Sequence, residues 1–326
     1  MKVLITGGGG FLGGHIVKLL LKEGHEVTSF SRGSYPDLEA QGVKTYRGDL
    51  SDLDAVSDAL KGKDAVIHCA SKVAMWGRYE DFYQTNVIGT ENIIKGCQAN
   101  GIKALVYTST PSVVFGQSSL KAVNEETPYP TNSVSPYGKT KAIAEEKVLK
   151  ANGMALKTVA LRPHLVFGPG DKNLIPRLLE KAKNGKLKRI GDGQNLVDVL
   201  YVENGAKAHI LALHQLTKDS SKIAGEAFFL GQGPVNLWDF INSILKSFKA
   251  PTVQKSVSFK SAYLIGSLIE KFCKLFGIYQ VDPPMTRFVA LQLSHDHYFD
   301  HTKAKNILGW EPEVSIEEGL SNLIDT

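Results

Sequence analysis

Two hydrophobic rhythms alternate along this chain. Short runs of β-forming residues recur at Lys2-Val3-Leu4-Ile5, Glu26 to Phe30, Val43 to Arg47, Ala65 to Ala70, Lys103 to Thr108 and Leu156 to Leu161, and predict six strands. Between them, apolar residues repeat at helical spacing. Leu12, Ile16, Leu19 and Leu20 form one set, and Leu53, Val56 and Leu60 another behind a Ser51 cap. Val87, Ile93, Ile94 and Cys97 fall in a long helix from Tyr79 to Asn100, and a further helix starts at Pro136 with Ile143 and Val148. The Ala65–Ala70 run is apolar without a break, as in a parallel sheet covered on both faces. Strands and helices alternating at this spacing predict an α/β fold with a doubly wound parallel sheet.

The first strand runs into Thr6-Gly7-Gly8-Gly9-Gly10-Phe11-Leu12-Gly13, and a helix follows. Gly8-x-Gly10-x-x-Gly13 and Gly7-x-x-Gly10-x-x-Gly13 both fit a dinucleotide-binding turn. Gly7 and Gly8 permit the tight turn, Gly10 admits a pyrophosphate to the backbone, and Gly13 lets the helix sit close on the strand. The helix N-terminus then offers N–H groups and partial positive charge to the phosphates. The second strand ends at Ser31-Arg32, where NAD-binding folds usually carry an acid for the ribose 2′-hydroxyl. Serine and arginine suit a 2′-phosphate, which favours NADP (NADPH) over NAD. Asp49, just past the third strand with Leu50, is placed either to bond the adenine amine or to cap the next helix. Ala70-Ser71 should pass beside the cofactor.

After Gly168-Pro169-Gly170 the pattern changes to shorter elements: helices around Ile175–Ala182, Asn204–Leu216 and Leu237–Phe248, with extended segments at 196–202 and 227–230. Residues 1–168 with about 196–218 are expected to form the Rossmann domain. Residues from about 169 to 195 and from 225 to 326 should form a smaller, mixed substrate lobe over the carboxyl ends of the strands, where ligands of such sheets bind.

Composition narrows the classes. The chain has 326 residues, 43% hydrophobic and 22% charged, as in ordinary globular proteins. Cys69, Cys97 and Cys273 have neither disulfide nor metal-ligand spacing, which suits a reducing cytoplasm. The apolar N-terminus is broken by glycines, unlike a signal peptide, and no run is long enough to span a bilayer. The net charge is +5, densest at Lys181, Lys183, Lys186, Lys188 and Arg189. That cluster has no interleaved aromatics, so no nucleic acid is expected, while attraction to an anionic substrate or lipid surface stays open.

Tyr137 and Lys141 stand at i,i+4 on one helical face. A phenol near pKa ~10 is a poor acid at neutral pH, and a neighbouring ammonium lowers that value. Thr110, beyond the fifth strand, can hold a substrate carbonyl; Thr108, Ser109 and Ser112 compete for that role.

The glycine turn, Asn86, Ser109-Thr110, Tyr137/Lys141 and Arg162-Pro163 together resemble an extended short-chain dehydrogenase/reductase over nearly the whole chain. Ser109 to Phe115, Leu161-Arg162-Pro163-His164, Gly191 to Asp198 and Pro283 to Phe288 resemble its 3β-hydroxysteroid dehydrogenase branch. The resemblance implies catalytic roles for Thr110, Tyr137, Lys141 and Asn86, with Ser109 or Ser112 in place of Thr110 if the loop is displaced. It implies cofactor contacts at Gly7, Gly10, Phe11, Leu12, Gly13, Ser31, Arg32, Asp49, Leu50, Ala70, Ser71, Tyr137, Lys141 and Pro163. The implied reaction is NADPH-dependent reduction of a ketone on an apolar substrate, with a 2-alkyl-3-oxo acid ahead of a sterol. The alternative is a nucleotide-sugar epimerase or dehydratase of the same fold: a dehydratase would carry Asp-Glu where Pro111-Ser112 stands, and the retained NAD of an epimerase fits poorly with Ser31-Arg32. A non-catalytic NADP-binding protein would not need both Tyr137 and Lys141. His295-x-His297-x-x-x-His301 is read as structural, and no metal is expected.

Relatives pair the two helices at 79–100 and 136–151, so a homodimer is expected. Finally, Ser261 to Tyr279 is rich in large apolar residues, with Glu270, Lys271 and Lys274 marking its polar side. It is too charged to cross a bilayer and suits a lid over a long acyl chain or steroid, with peripheral membrane contact as an accessory expectation.

Overall fold

The computed structural model describes residues 1–324. Seven strands make one parallel sheet: β1 (Lys2–Thr6), β2 (Glu26–Ser31), β3 (Lys44–Arg47), β4 (Ala65–His68), β5 (Ala104–Thr108), β6 (Lys157–Pro163) and β7 (Ala227–Leu230). Their spatial order is β7-β6-β5-β4-β1-β2-β3. Successive side chains of a strand point to opposite faces, and here they feed two separate cores. Val3, Ile5, Ala65, Ile67, Val106 and Leu161 meet the helices Phe11–Lys22 and Val202–Leu216. Leu4, Val66, Leu105 and Ala160 meet the helices Leu53–Leu60, Gly89–Ala99 and Pro136–Lys150. Each buried Leu, Ile or Val contributes about 1.5–3 kcal/mol, so the alternation fixes the register of every central strand. Strand order reverses between β1 and β4, and the glycine turn leaves β1 at that point. Ligands of doubly wound sheets bind there.

The second layer of structure is a five-stranded mixed sheet. Gln232–Asn236, Leu196–Tyr201, His297–Phe299 and Leu120–Val123 follow one another across it, and Val166–Phe167 pairs with Leu196–Tyr201. Its core is Phe167, Val197, Val199, Tyr201, Trp238 and Ile241. Two boundaries differ from the sequence expectation. Residues 227–230, placed in the substrate lobe, extend the main sheet as β7, while Leu196–Tyr201, placed in the nucleotide domain, belongs to the second sheet. The lobes are therefore interleaved. Ala304, Leu308 and Trp310 also pack into this core, beside the Val202–Leu216 helix and β7.

The histidine-rich segment joins these parts. His297 is buried; its Nε2 donates to the Gln292 carbonyl (2.8 Å) and its Nδ1 accepts from His164 Nε2 (2.7 Å). His301 Nε2 lies 3.1 Å from the buried Asp198 carboxylate. One cap and one helix also depart from expectation. Asp52, not Ser51, caps Leu53–Leu60, its Oδ1 accepting from the Asp54 and Ala55 amides. The run from Tyr79 to Ala99 is one helical path in three pieces, with a π-turn at Tyr83–Ile88 between α segments.

Candidate active site

The glycine turn is held by its own backbone. Gly7 adopts φ +73°, a left-handed conformation that favours glycine, and the Gly10 amide donates to its carbonyl at 2.9 Å. A Cβ at Gly13 would run into the Gly7 carbonyl oxygen, so helix and turn touch as the motif requires. Phe11, Leu12 and Gly13 open the Phe11–Lys22 helix.

A cleft of about 480 Å³ lies in front of this turn. Gly7, Gly10, Ser31, Arg32, Asp49, Leu50, Ala70 and Ser71 line it. Thr6 and Ala70 bring β1 and β4 together there, the Ala70 amide donating to Thr6 Oγ1 (3.0 Å). At the far end Ser31 Oγ donates to the Gly33 carbonyl (2.9 Å). Arg47 Nε donates to the Arg32 carbonyl (3.0 Å), so two guanidinium groups stand at the ends of β2 and β3. Asp49 neither caps the next helix nor stands free: its Oδ1 accepts from the Ser51 amide (2.8 Å) and hydroxyl (2.7 Å), and its other oxygen lies 3.9 Å from Arg32. Those Ser51 bonds hold its carboxyl below the usual range, with Arg32 adding less.

Behind the cleft runs a directional hydrogen-bond chain. Thr90 Oγ1 gives its proton to the Asn86 carbonyl (2.6 Å), so it accepts from His68 Nε2 (3.1 Å). His68 Nδ1 then accepts from Thr6 Oγ1 (2.6 Å). Burial, with Lys141 nearby, pushes His68 down to about 3 and keeps the ring neutral. Asn86 sits in the π-turn. Its Oδ1 accepts from the Lys72 amide (2.7 Å), while Nδ2 donates to the Lys72 carbonyl (3.2 Å) and to Thr140 Oγ1 (3.1 Å). Asn86 thus ties the loop after β4 to the helix that carries Tyr137 and Lys141.

That helix, Pro136–Lys150, starts under a Ser135 cap whose Oγ accepts from the Gly138 amide at 3.1 Å. Gly138 presses against the Thr110 loop: a Cβ there would sit 2.8 Å from the Ser112 carbonyl oxygen. The contact brings the Tyr137 phenol beside the Thr110 hydroxyl. Thr110 Oγ1 also accepts from the Ser112 amide (3.2 Å). Of the competing hydroxyls, Thr108 Oγ1 is engaged with His209 Nε2 (2.9 Å) and Cys69 Sγ (2.9 Å), and Ser109 Oγ is buried without a partner.

The electrostatics differ from the simple expectation of an ammonium that acidifies the phenol. Burial pushes Tyr137 up to about 12, and the neighbouring Thr110 hydroxyl only partly offsets this. Lys141 is buried; it donates to the Thr108 carbonyl (2.7 Å) and lies 4.0 Å from the centre of the Tyr107 ring. Burial pushes Lys141 down to about 7, opposed by the Glu145 carboxylate. Pro163 ends β6 as a buried residue beside Arg162, which pairs with Glu145 on the helix (2.6 Å).

Several cleft residues escaped the sequence reading. Phe30, Gly33, Tyr35, Gly48, Cys69, Val73, Thr85 and Asn173 also line it. Tyr35 lies flat over Gly9, whose missing side chain makes the room. The extra glycine of the turn was the available signal. The apolar segment is a helix at Phe259–Leu275, and its orientation is a correction. Glu270 is buried, not on the polar side, where it accepts from the Arg287 amide (2.7 Å) and Nε (2.9 Å). Phe259 and Tyr263 pack inward, while Leu264, Ile265, Leu268, Phe272, Leu275 and Phe276 face outward.

A phosphate-binding turn on a doubly wound sheet, with Thr, Tyr and Lys gathered beside its cleft, is the architecture of a short-chain dehydrogenase/reductase. Residues 4–260 match the 3-beta hydroxysteroid dehydrogenase/isomerase family. The chain is 46% identical over 328 residues to a 2-alkyl-3-oxoalkanoate reductase of Stenotrophomonas maltophilia, covering 99% of this chain and 98% of that one. It is 34% identical over 330 residues to the mouse (Mus musculus) sterol-4-alpha-carboxylate 3-dehydrogenase, decarboxylating, covering 100% and 90%. Among solved structures, gox2253 superposes with a TM-score of 0.79 at 24% identity, covering 99% of this chain and 97% of that one. MoeE5 in complex with UDP-glucose and NAD gives 0.77 at 24% identity, covering 100% and 98%; both share the fold. The chain belongs to the 3-beta hydroxysteroid dehydrogenase/isomerase family and is an oxidoreductase.

Proposed function

We propose that this protein is an NADPH-dependent reductase that converts a 2-alkyl-3-oxoalkanoic acid to the 2-alkyl-3-hydroxy acid. The observation that carries the reading is the Thr110–Tyr137–Lys141 group beside a dinucleotide-sized cleft, in a chain matched end to end by a reductase of such acids. The names of the two relatives describe one chemistry: in each, a carboxylate sits on the carbon next to the reacting carbon. The cradle fits a nicotinamide dinucleotide, since the turn is closed by glycines whose Cβ atoms would block it. Arg32 and Arg47 at the strand ends, with Ser31 rather than a carboxylate closing β2, support NADPH.

Bound cofactor supplies the hydride. The protein supplies the proton and its placement. Burial keeps Tyr137 protonated, so the phenol can donate to the carbonyl oxygen as the alcohol forms. Thr110 takes the Ser112 amide on its lone pair, which leaves its hydroxyl proton to hold that same oxygen. Lys141, poised near neutrality, can return a proton to Tyr137.

The test is a set of initial rates with NADPH and NADH on β-keto acids of increasing alkyl length, a 3-ketosteroid and a UDP-sugar. Each added methylene that becomes buried should raise kcat/KM about fourfold, from roughly 0.8 kcal/mol. A flat series, or faster turnover of the steroid or sugar, overturns the substrate assignment. Equal or better use of NADH overturns the cofactor assignment.

A further inference from the structure

The helix Phe259–Leu275 faces the wrong way for a core helix, and its inner face shows why. Gly266 is pressed on the backbone of Thr286 and Arg287, where a Cβ would come within 2.7 Å. Four residues on, Glu270 is buried and locked to Arg287. With Ala262 and Cys273 they make a narrow inner stripe of small residues and one carboxylate. Rolling the helix to hide its leucines would drive Gly266 out of its seat and break the Glu270 bonds. The outward face is therefore built in. It carries Leu264, Ile265, Leu268, Phe272, Leu275 and Phe276, with exposures from 48% for Ile265 to 80% for Leu275.

Charge identifies what this face meets. The helix's one carboxylate is neutralised inside, so its exposed charges, Lys260, Lys271 and Lys274, are all positive. At 100° per residue these lysines lie along one edge of the apolar strip. The other edge, Ile265 and Ile269, lines a groove whose rim holds Lys181, Lys186 and Lys188. Lysines thus flank the strip on both sides. A second copy pairing through the same patch would bring lysine rows to lysine rows. No helix among the described residues is long and apolar enough to cross a membrane, so such a strip would lie flat in an interface.

We propose that this face docks on an anionic lipid bilayer, with Leu264, Leu268, Phe272 and Leu275 at the acyl boundary and the flanking lysines at the headgroups. Flotation of the full chain tests this, with phosphatidylcholine vesicles and with vesicles containing increasing phosphatidylglycerol. Binding should rise with the anionic fraction and fall with salt. The double variant Leu268→Glu, Phe272→Glu should abolish it while keeping the native circular dichroism and melting curve, because both side chains are exposed. Lys271→Glu with Lys274→Glu should weaken binding by at least about fivefold per lysine. Failure to float with either vesicle, or equal binding to neutral vesicles, overturns the proposal. So does light scattering in which the Leu268/Phe272 variant turns a dimer into a monomer, because the face would then belong to a second copy.

Discussion

Replacing Glu145 by glutamine should unlock the helix that carries Tyr137 and Lys141. Glu145 lies two turns beyond Tyr137 and is fully buried, as is Arg162 on β6. Arg162 donates through Nε to both carboxylate oxygens (3.2 and 3.0 Å) and through Nη2 to Oε1 (2.6 Å), and Tyr129 adds a bond at 2.8 Å. The remaining Arg162 nitrogen, Nη1, has no hydrogen-bond partner, so this carboxylate is the guanidinium's main compensation beside the Phe229 ring. Glutamine keeps the shape and removes the charge, stranding a buried cation. The expected loss is about 3–5 kcal/mol, a third or more of a typical fold's roughly 5–15 kcal/mol. Removing both charges as Glu145→Leu with Arg162→Met should bring stability back to within about 2 kcal/mol, since desolvation of the pair is relieved at the same time. Urea melts of the three proteins read these differences. A second readout comes from Lys141, which Glu145 holds up against burial. In Glu145→Gln the ammonium should titrate below about 7, moving the alkaline limb of kcat to lower pH. A single-variant loss under about 1 kcal/mol, or an unmoved limb, would refute this account of the helix.

Gly138→Ala should push the helix off the Ser112 carbonyl, cost about 1–3 kcal/mol and lower kcat more than it raises KM; normal turnover would show the Tyr137–Thr110 approach to be dispensable. Tyr137→Phe should cut kcat by about a hundredfold or more while NADPH fluorescence titrations stay near native, and substantial residual turnover would remove the phenol from the chemistry. Arg32→Ala should narrow the preference for NADPH over NADH, measured as a ratio of kcat/KM values; an unchanged ratio would leave the 2′-phosphate to other groups. Stability should fall in acid because burial depresses His209 to about 4 and His68 to about 3. Their neutral forms contribute fully above the unfolded value of about 6.5, and the contribution is lost as pH falls through 4, up to about 3 kcal/mol for His209. Urea melts between pH 7 and 4 should show that slope, and His209→Asn should make it shallower while the His68 share remains.

What the chain discloses in one dimension is what local spacing controls. Val3, Leu4 and Ile5 alternate between the two cores, and the glycines stand where β1 must turn, so the sheet and phosphate cradle are legible. Tyr137 and Lys141 are one turn apart, so their shared face is legible too. Their protonation is not, because burial of Lys141 beneath the ring of Tyr107 depends on how helix and sheet meet. Residues 227–230 read as a strand, but their place at the edge of β6 arises only from packing. The second sheet is built of short strands paired across great sequence distances, such as Leu120 with His297, and no local pattern encodes that register. Glu270 reads as part of the polar side because its partner, Arg287, approaches from a different helix.

The π-turn at Tyr83–Ile88 gives one helical path two rotational phases. A residue added to an α-helix turns everything beyond it by about 100°. Here the π-turn sets the phase so that Asn86 looks into the site, while Ile93, Ile94 and Cys97 on the following segment look into the core. Straightening the path by deleting one residue would force a choice between the two views. Either the core segment keeps its grip and Asn86 swings off Lys72 and Thr140, or Asn86 holds and the apolar face leaves the sheet. Length in this stretch is thus more tightly constrained than identity. Point substitutions around residues 83–88, Asn86 apart, should be tolerated far better than a single-residue deletion, even one that improves the helix as a helix.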